Sequence, residues 1–172
     1  MISLSRAKIE DAENISYLGA TTFDQSFGYL FRDREDIEGY LRKTFSLEKI
    51  TQSIQKSHNI YWLVKEDDSP IGYAKLQLDS PSDFIKNDKT CKLQKLYMLK
   101  GTSSKGIGSR LQQLIFDKAI EEGQEYLWLS ALKQNERAIA FYKRNDYLIV
   151  GEHPYSIGKE DFEFWVMGRK LI

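Results

Sequence analysis

From Lys95 to Arg110 the chain reads Lys-Leu-Tyr-Met-Leu-Lys-Gly-Thr-Ser-Ser-Lys-Gly-Ile-Gly-Ser-Arg, a β-type run that enters a glycine-bearing turn and opens directly into a helix. No other stretch restricts the fold so far. The first turn of a helix has unpaired N–H groups at the positive end of its aligned peptide dipoles, so a strand that delivers such a turn builds an anion site. Gly106 and Gly108 leave room where a Cβ would meet a phosphate, and Lys105 and Arg110 add positive charge. Two other phosphate motifs fail here. Gly101-x-x-x-x-Gly106 begins like a P-loop, but Ile107-Gly108 stands where Lys-Ser/Thr is needed. Gly106-x-Gly108-x-x-Leu111 lacks the third glycine of the dinucleotide fingerprint. A plain strand-to-helix turn that needs glycine for its dihedrals is the alternative.

Around this turn the hydrophobic period changes along the chain. Asp11 to about Phe27 predicts a helix, with Ile15, Leu18, Thr22 and Phe23 near a 3.6-residue period, and Ile2–Arg6 a short strand before it. Asp33–Phe45 and Ser46–Lys56 read as two more helices, with Ile37, Tyr40 and Leu41 on one face, then Leu47, Ile50 and Ile54. Ile60–Lys65 and Ile71–Leu78, joined by the turn residues Asp67–Pro70, read as an antiparallel hairpin. Asp79–Thr90 is a polar loop and Cys91–Leu99 a strand. The helix from Ile107 carries Ile107, Leu111, Leu114, Ile115 and Ala119 on one stripe, with Phe116 and Ile120 on the other side, and Gly123 ends it. Tyr126–Ala131 is an apolar strand read as buried on both faces, and Asn135 caps a helix to about Arg144. Tyr147–Val150 and Asp161–Arg169 complete the order as strands. Such an order gives a mixed α/β or α+β sheet, and neither a TIM barrel nor a sandwich.

Composition removes several classes. The 172 residues suffice for one domain, 1–172, with its own core. Lys plus Arg and Asp plus Glu both number 25, a balance unlike the basic excess of a nucleic-acid binder. A single Cys91 and two distant imidazoles, His58 and His153, offer no metal set, so no metal is expected. No apolar run approaches the ~20 residues a membrane helix needs, and the charged opening Met1–Ala20 lacks a signal-peptide core, so a cytoplasmic protein without membrane or nucleic-acid partners is expected. The C-terminal strand pair and the aromatic content are compatible with a homodimer.

Leu96-Tyr97-Met98 followed by Ser103-Ser104-Lys105-Gly106-Ile107-Gly108-Ser109-Arg110-Leu111 resembles the coenzyme A signature of the GCN5-related N-acetyltransferases (GNAT). Asn135-Glu-Arg-Ala-Ile-Ala-Phe-Tyr-Lys-Arg-Asn-Asp-Tyr147 resembles that family's later segment, and the two lie in the family's order. Thr22-Phe23-Asp24, Tyr97 and Trp128-Leu129 are further similar to the PaiA-type spermidine/spermine acetyltransferases. The resemblance implies the GNAT fold: a mixed, mostly antiparallel sheet with a parallel central strand pair splayed for coenzyme A and helices on both faces. It implies acetyl-CoA as cosubstrate and transfer of its acetyl group to a small-molecule primary amine, a polyamine such as spermidine or spermine among the candidates. It assigns Leu96, Tyr97, Met98, the run Ser103–Arg110, Asn135, Ala138 and Tyr142 to coenzyme A. Backbone groups around Leu96 and Met98 would pair with the pantetheine arm, and the Met98 N–H would polarise the thioester carbonyl. Tyr142 would protonate the departing thiolate; without the resemblance, Phe141-Tyr142 reads as aromatic core.

Three positions depart from the family pattern. Ser103 stands where Gln or Arg usually begins the phosphate motif, Asn145-Asp146-Tyr147 replaces a Gly-Phe ending, and Gln94 occupies the strand position where many relatives carry a glutamate base. An amide cannot take a proton as a carboxylate does, so the base is unassigned; Asp24 and Glu35 are candidates, either as base or as partners of a second ammonium, and ordinary solvated residues otherwise. His153, before Pro154, reads as structural in a strand-edge turn. Competing functions are acetylation of protein N-termini or another small amine, and a coenzyme A-binding regulatory domain with little turnover.

Overall fold

The computed structural model describes residues 1–102 and 106–172. Seven strands and five α-helices follow in the order β1 (Ile2–Arg6), α1 (Ala12–Phe27), α2 (Arg34–Thr44), α3 (Leu47–Gln55), β2 (Asn59–Glu66), β3 (Ser69–Gln77), β4 (Thr90–Met98), α4 (Ile107–Glu121), β5 (Tyr126–Leu132), α5 (Glu136–Arg144), β6 (Leu148–Ile157) and β7 (Glu160–Lys170). The strands form one mixed sheet in the order β1-β2-β3-β4-β5-β7-β6. β1 pairs antiparallel with β2, and β5 with β7. β4 pairs parallel with β5 through Thr90↔Tyr126, Cys91↔Leu127 and Lys92↔Trp128, after which β4 continues to Met98. The chain divides into two compact units.

The first unit comprises Met1–Lys75, Lys95–Ser104 and Ile157–Glu160. Helix α1 buries Ile15, Leu18, Thr22 and Phe23, as the 3.6-residue spacing requires. Phe23 meets Phe27, Tyr40 and Phe45 at ring-centroid distances of 4.9, 4.8 and 6.1 Å, an aromatic cluster that ties α1 to α2 and its C-terminal end. Side chains cap both following helices: Asp33 accepts from Glu35 N–H and Ser46 from Lys49 N–H. Leu47 departs from the expected stripe; as the first residue of α3 it is exposed, whereas Ile50 is buried. The β2–β3 turn uses Asp67 and Asp68 at φ 47° and 70°, the left-handed pair that a tight hairpin requires.

The second unit comprises Leu76–Gln94, Lys105–Ser156 and Asp161–Ile172. Its core is one face of β4 and β5 (Cys91, Leu93, Leu127, Leu129, Ala131) together with Ile107, Leu111, Ile115 and Ala119 of α4. The Arg169 guanidinium of β7, on that same face, lies 4.0 Å from the centre of the Phe116 ring of α4. Here the expected stripe shifts. Leu114 and Ile120 are exposed, while Phe116 and Gln112 are buried, so α4 is covered on one side only. β5 is also less enclosed than its apolar sequence suggests: Trp128 and Ser130 on the second face are half-buried. A loop at 79–89 reaches this face, where Trp128 donates its indole N–H to the Ser80 carbonyl at 2.8 Å. β6 runs on to Ile157 and turns back through Gly158 and Lys159, so His153-Pro154 sits inside a strand and not in a turn. Pro154 is tolerated because β6 is the outermost strand, where a missing N–H breaks no ladder on the open side.

A Cβ added to Gly19 of α1 would stand 2.3 Å from Cδ1 of the buried Phe45 ring. Alanine favours a helix interior over glycine by about 1 kcal/mol, but overpacking of this kind costs about 1–3 kcal/mol. Gly19→Ala should therefore lower the midpoint of thermal unfolding by a few degrees (~2–4 °C per kcal/mol for a chain of this size); an unchanged or raised midpoint would show that Phe45 yields freely.

Candidate functional site

The start of α4 is built around Gly106. This residue is the N-cap, with φ 74° and ψ 11°, a left-handed backbone that an L side chain rarely adopts. The first helical hydrogen bond runs from Arg110 N–H to Gly106 O at 3.0 Å, so the N–H groups of Ile107, Gly108 and Ser109 have no partner within the helix. A glycine cap supplies no side chain to satisfy them, and a Cβ at Gly106 would meet nothing within 4 Å. Ile107, 1% exposed, fixes the turn to the core while Ser109 and Arg110 are exposed. The result is an open turn of backbone donors at the positive end of a 15-residue helix, which fits a diphosphate. Ser103, Ser104 and Lys105, expected at the same phosphates, lie outside the described residues.

Gly108 has a different part from the one expected. A Cβ there would meet Cε2 and Cζ of Phe141 at 3.2 Å, so this glycine admits the ring of α5 against the first turn of α4. That contact brings the two motif segments together. Asn135 caps α5 as expected, its side-chain oxygen accepting from Ala138 N–H at 3.2 Å, which leaves the amide NH2 as the free end of that side chain. No residue of α5 is fully buried, so the strongly amphipathic helix leaves part of its apolar face accessible. Tyr142 is half-buried on this helix, edge-on to Phe141 at 5.5 Å and to Tyr147 at 5.4 Å. These apolar surroundings push the Tyr142 phenol above its ordinary range. Tyr147 is buried with Gln112 beside its hydroxyl, and burial raises this phenol as well. Sequence periodicity missed Gln112, because a single amide inside an apolar stripe carries no signal of its own.

In the first unit, Leu96, Tyr97 and Met98 are all half-buried. The Tyr97 ring stands edge-on to Tyr73 at 5.9 Å, and a Cβ on Gly72 would collide with Met98 Sδ at 2.2 Å. Gly72 therefore sets the close approach of β3 to this end of β4. Asp24 is engaged: both its oxygens accept from the Arg34 guanidinium, at 2.7 and 2.6 Å. The hydrogen-bonded guanidinium holds its carboxyl below the usual range, which makes it a poor proton acceptor. Glu35 is an exposed residue in the first turn of α2.

The second unit presents polar groups on the sheet face opposite α4. Lys92 reaches over the Trp128 ring, 4.5 Å from its centre, and burial lowers its pKa. Gln94, two residues further on the same face, has its side-chain oxygen buried without a hydrogen-bond partner among the described residues. Ser130 Oγ lies 2.9 Å from His153 Nε2, and the imidazole stacks on Phe164 at 5.2 Å with a 7° interplanar angle. Sequence reasoning missed this pair because Ser130 and His153 stand 23 residues apart on β5 and β6.

Comparison with known proteins agrees with this geometry. Residues 23–147 match the acetyltransferase (GNAT) family. An uncharacterised N-acetyltransferase of Lactobacillus delbrueckii subsp. lactis is 22% identical over 173 residues, covering 99% of this chain and 98% of that protein. One from Mycobacterium tuberculosis is 24% identical over 162 residues, 94% of this chain and 99% of that one. Among solved structures, the PaiA N-acetyltransferase of Thermoplasma acidophilum in complex with coenzyme A has the same fold, with a TM-score of 0.75 at 21% identity over 99% of both chains. A probable acetyltransferase of Staphylococcus epidermidis has a TM-score of 0.75 at 16% identity, again over 99% of both chains. With 125 of its 172 residues in the matched span (23 to 147), the chain belongs to the GNAT family of acetyl-CoA-dependent N-acetyltransferases.

Proposed function

We propose that this enzyme transfers the acetyl group of acetyl-CoA to a small-molecule primary amine, with a polyamine such as spermidine or spermine as acceptor, and that 1–172 works as one cytoplasmic catalytic domain. The observation that carries the cosubstrate assignment is the open, glycine-capped start of α4. Ile107, Gly108 and Ser109 donate their free N–H groups to the diphosphate and Arg110 adds charge, while Ser103, Ser104 and Lys105 are assigned to it by the family resemblance of their sequence. Leu96 and Met98 offer backbone groups to the pantetheine arm on β4, which continues to Met98 after its last pair with β5 at Lys92. Asn135 and Ala138 lie on the stripe of α5 that also carries Tyr142, at i, i+3 and i+7. The similarity of Thr22-Phe23-Asp24 and Trp128-Leu129 to PaiA-type enzymes supports the polyamine.

The chemistry divides among these groups. Met98 N–H polarises the thioester carbonyl, a donor worth about 3–4 kcal/mol in sites where one has been removed. Tyr142 holds its proton at every working pH, because its pKa lies above the ordinary phenol range, and donates a hydrogen bond to the sulfur as negative charge gathers there. A raised phenol gives its proton to a thiolate reluctantly, so its contribution is a hydrogen bond through most of the step and proton delivery at the end. An acceptor with a lysine-like pKa of ~10.4 is charged at neutral pH, and removing its proton costs about 4–5 kcal/mol at pH 7, from ~1.36 per unit.

Thiol release from acetyl-CoA, followed with a panel of amines, tests the activity. Release with spermidine or spermine is expected; release with peptides alone would move the acceptor to protein N-termini, and binding without release to any acceptor would make the chain a regulatory domain. Tyr142→Phe is expected to lower kcat by ~10- to 100-fold with little change in coenzyme A affinity, and full turnover at saturating substrates would remove Tyr142 from the acid role.

A further inference from the structure

The base is the missing part of this machinery, and the second unit offers one. Its α4 side is occupied: Cys91, Leu93, Leu127, Leu129 and Ala131 are buried there, and Phe116 of α4 meets Arg169 on the same face. The opposite face is the more open of the two, with Lys92, Gln94, Trp128 and Ser130 only half-buried. On that face the strand positions are Thr90, Lys92 and Gln94 of β4, Tyr126, Trp128, Ser130 and Leu132 of β5, and their alternating counterparts on β6 and β7. The one carboxylate among these strand positions is Glu160, at the start of β7, which belongs to the first unit and is taken up there by the Arg32 N–H and guanidinium. The titratable side chains among them are Lys92, Tyr126, His153, Tyr155, Glu160 and Lys170, and the 79–89 loop at the Trp128 end adds Asp79, Asp83, Lys86, Asp88 and Lys89. A tyrosine is already protonated near neutrality, and Lys92 Nζ is held over the Trp128 ring. Among the strand positions, His153 is the one whose ring nitrogen faces a half-buried hydroxyl of β5, that of Ser130.

Its hydrogen bonds fix how. Pro154 O lies 3.1 Å from Nδ1 and can only accept, so Nδ1 carries the ring hydrogen. Nε2 is then an acceptor, and the Ser130 hydroxyl 2.9 Å away donates to it. Stacking on Phe164 holds the ring in this orientation. Gln94 and Ser130 stand two residues beyond the last parallel pair, Lys92↔Trp128, on the same face of neighbouring strands. The buried, unpartnered oxygen of Gln94 is an acceptor left over for an amine N–H.

We propose that Ser130 and His153 form a proton relay that serves the acceptor amine, an inference that rests on the acetyltransferase reading above. The charged amine first passes one N–H proton to Ser130 Oγ while the Ser130 hydroxyl proton moves to His153 Nε2. The freed nitrogen lone pair then bonds to the acetyl carbon, the C–S bond breaks as the thiolate takes the Tyr142 proton, and the extra proton left on the amide nitrogen returns to the phenolate through water. The ring becomes an imidazolium whose two N–H groups are both already engaged, on Ser130 Oγ and on Pro154 O. It later loses its proton to water. Ser130 is the catalytic residue that touches the acceptor; His153 acts through it and is a positioning and proton-holding residue. Gln94 orients the amine and takes no proton.

The test is steady-state kinetics of acetyl-CoA with the best amine of the panel across pH, for the full chain and for Ser130→Ala, His153→Gln and the double variant. Each single variant is expected to lose roughly 10²-fold in kcat/KM for the amine, within the range of general acid–base catalysis, with the KM for acetyl-CoA unchanged. The double variant is expected to be no worse than the singles, as for residues that act as a unit. His153→Gln is further expected to lose most below the pKa of the amine and to approach the parent rate at high pH, where the free amine is neutral without help. Should His153→Gln lose its fold, read from coenzyme A affinity, Ser130→Ala carries the same test. Parent turnover with unaltered rates and pH profile in both variants would overturn the relay and leave the acetyltransferase reading standing. A parent chain that binds no coenzyme A and releases no thiol would overturn both.

Discussion

Gly106 decides how much of this molecule can become a catalyst. Its left-handed backbone turns the chain into α4 so that three amide N–H groups point away from the helix with no side chain to receive them. In α2, α3 and α5 the same need is met locally: Asp33, Ser46 and Asn135 each accept a hydrogen bond at the start of their own helix. The contrast is chemical. A helix whose first turn is capped by its own residues is finished, whereas one that begins on glycine keeps its positive end available to an anion. Ile107 anchors that turn in the core, and Gly108 lets Phe141 close against it, so the open donors are held by tight packing immediately beneath them.

The helices and strands were legible because their apolar residues recur with the period of the element. α1, α4 and the β2–β3 hairpin fall within a residue or two of expectation, and the Asn135 cap is where an Asn before a periodic run should be. Errors arose where a position's environment is set by elements distant in sequence. Leu114 and Ile120 look as apolar as Ile115 but face outward, and Gln112 is buried in their place beside Tyr147. Pro154 suggested a turn, and only the strand order shows that β6 is an edge that accepts it.

The site could be read from the sequence only where its chemistry is local. A glycine-rich turn that opens a helix points to an anion by its own chemistry, whereas Asn135–Tyr147 speaks only through its resemblance to a family segment. Proton transfer is harder to read, because it depends on side chains brought together by pairing across the sheet. Gln94 signalled that the usual carboxylate is absent, and Asp24, the acid closest to hand in the sequence argument, proves to be bound by Arg34. Ser130 and His153 carry no motif; their alliance exists only once β5, β7 and β6 lie side by side.

The most direct test of the account is calorimetric titration of coenzyme A into the full chain and into Gly106→Asn. Asparagine tolerates the left-handed backbone, so the turn survives, while its side-chain oxygen caps the free amides from within. The account requires measurable binding by the parent and a loss of at least ~10-fold in the variant, about 1.4 kcal/mol, at a nearly unchanged melting temperature. Equal affinities in the two proteins would contradict it, since the diphosphate would then be held somewhere other than the mouth of α4.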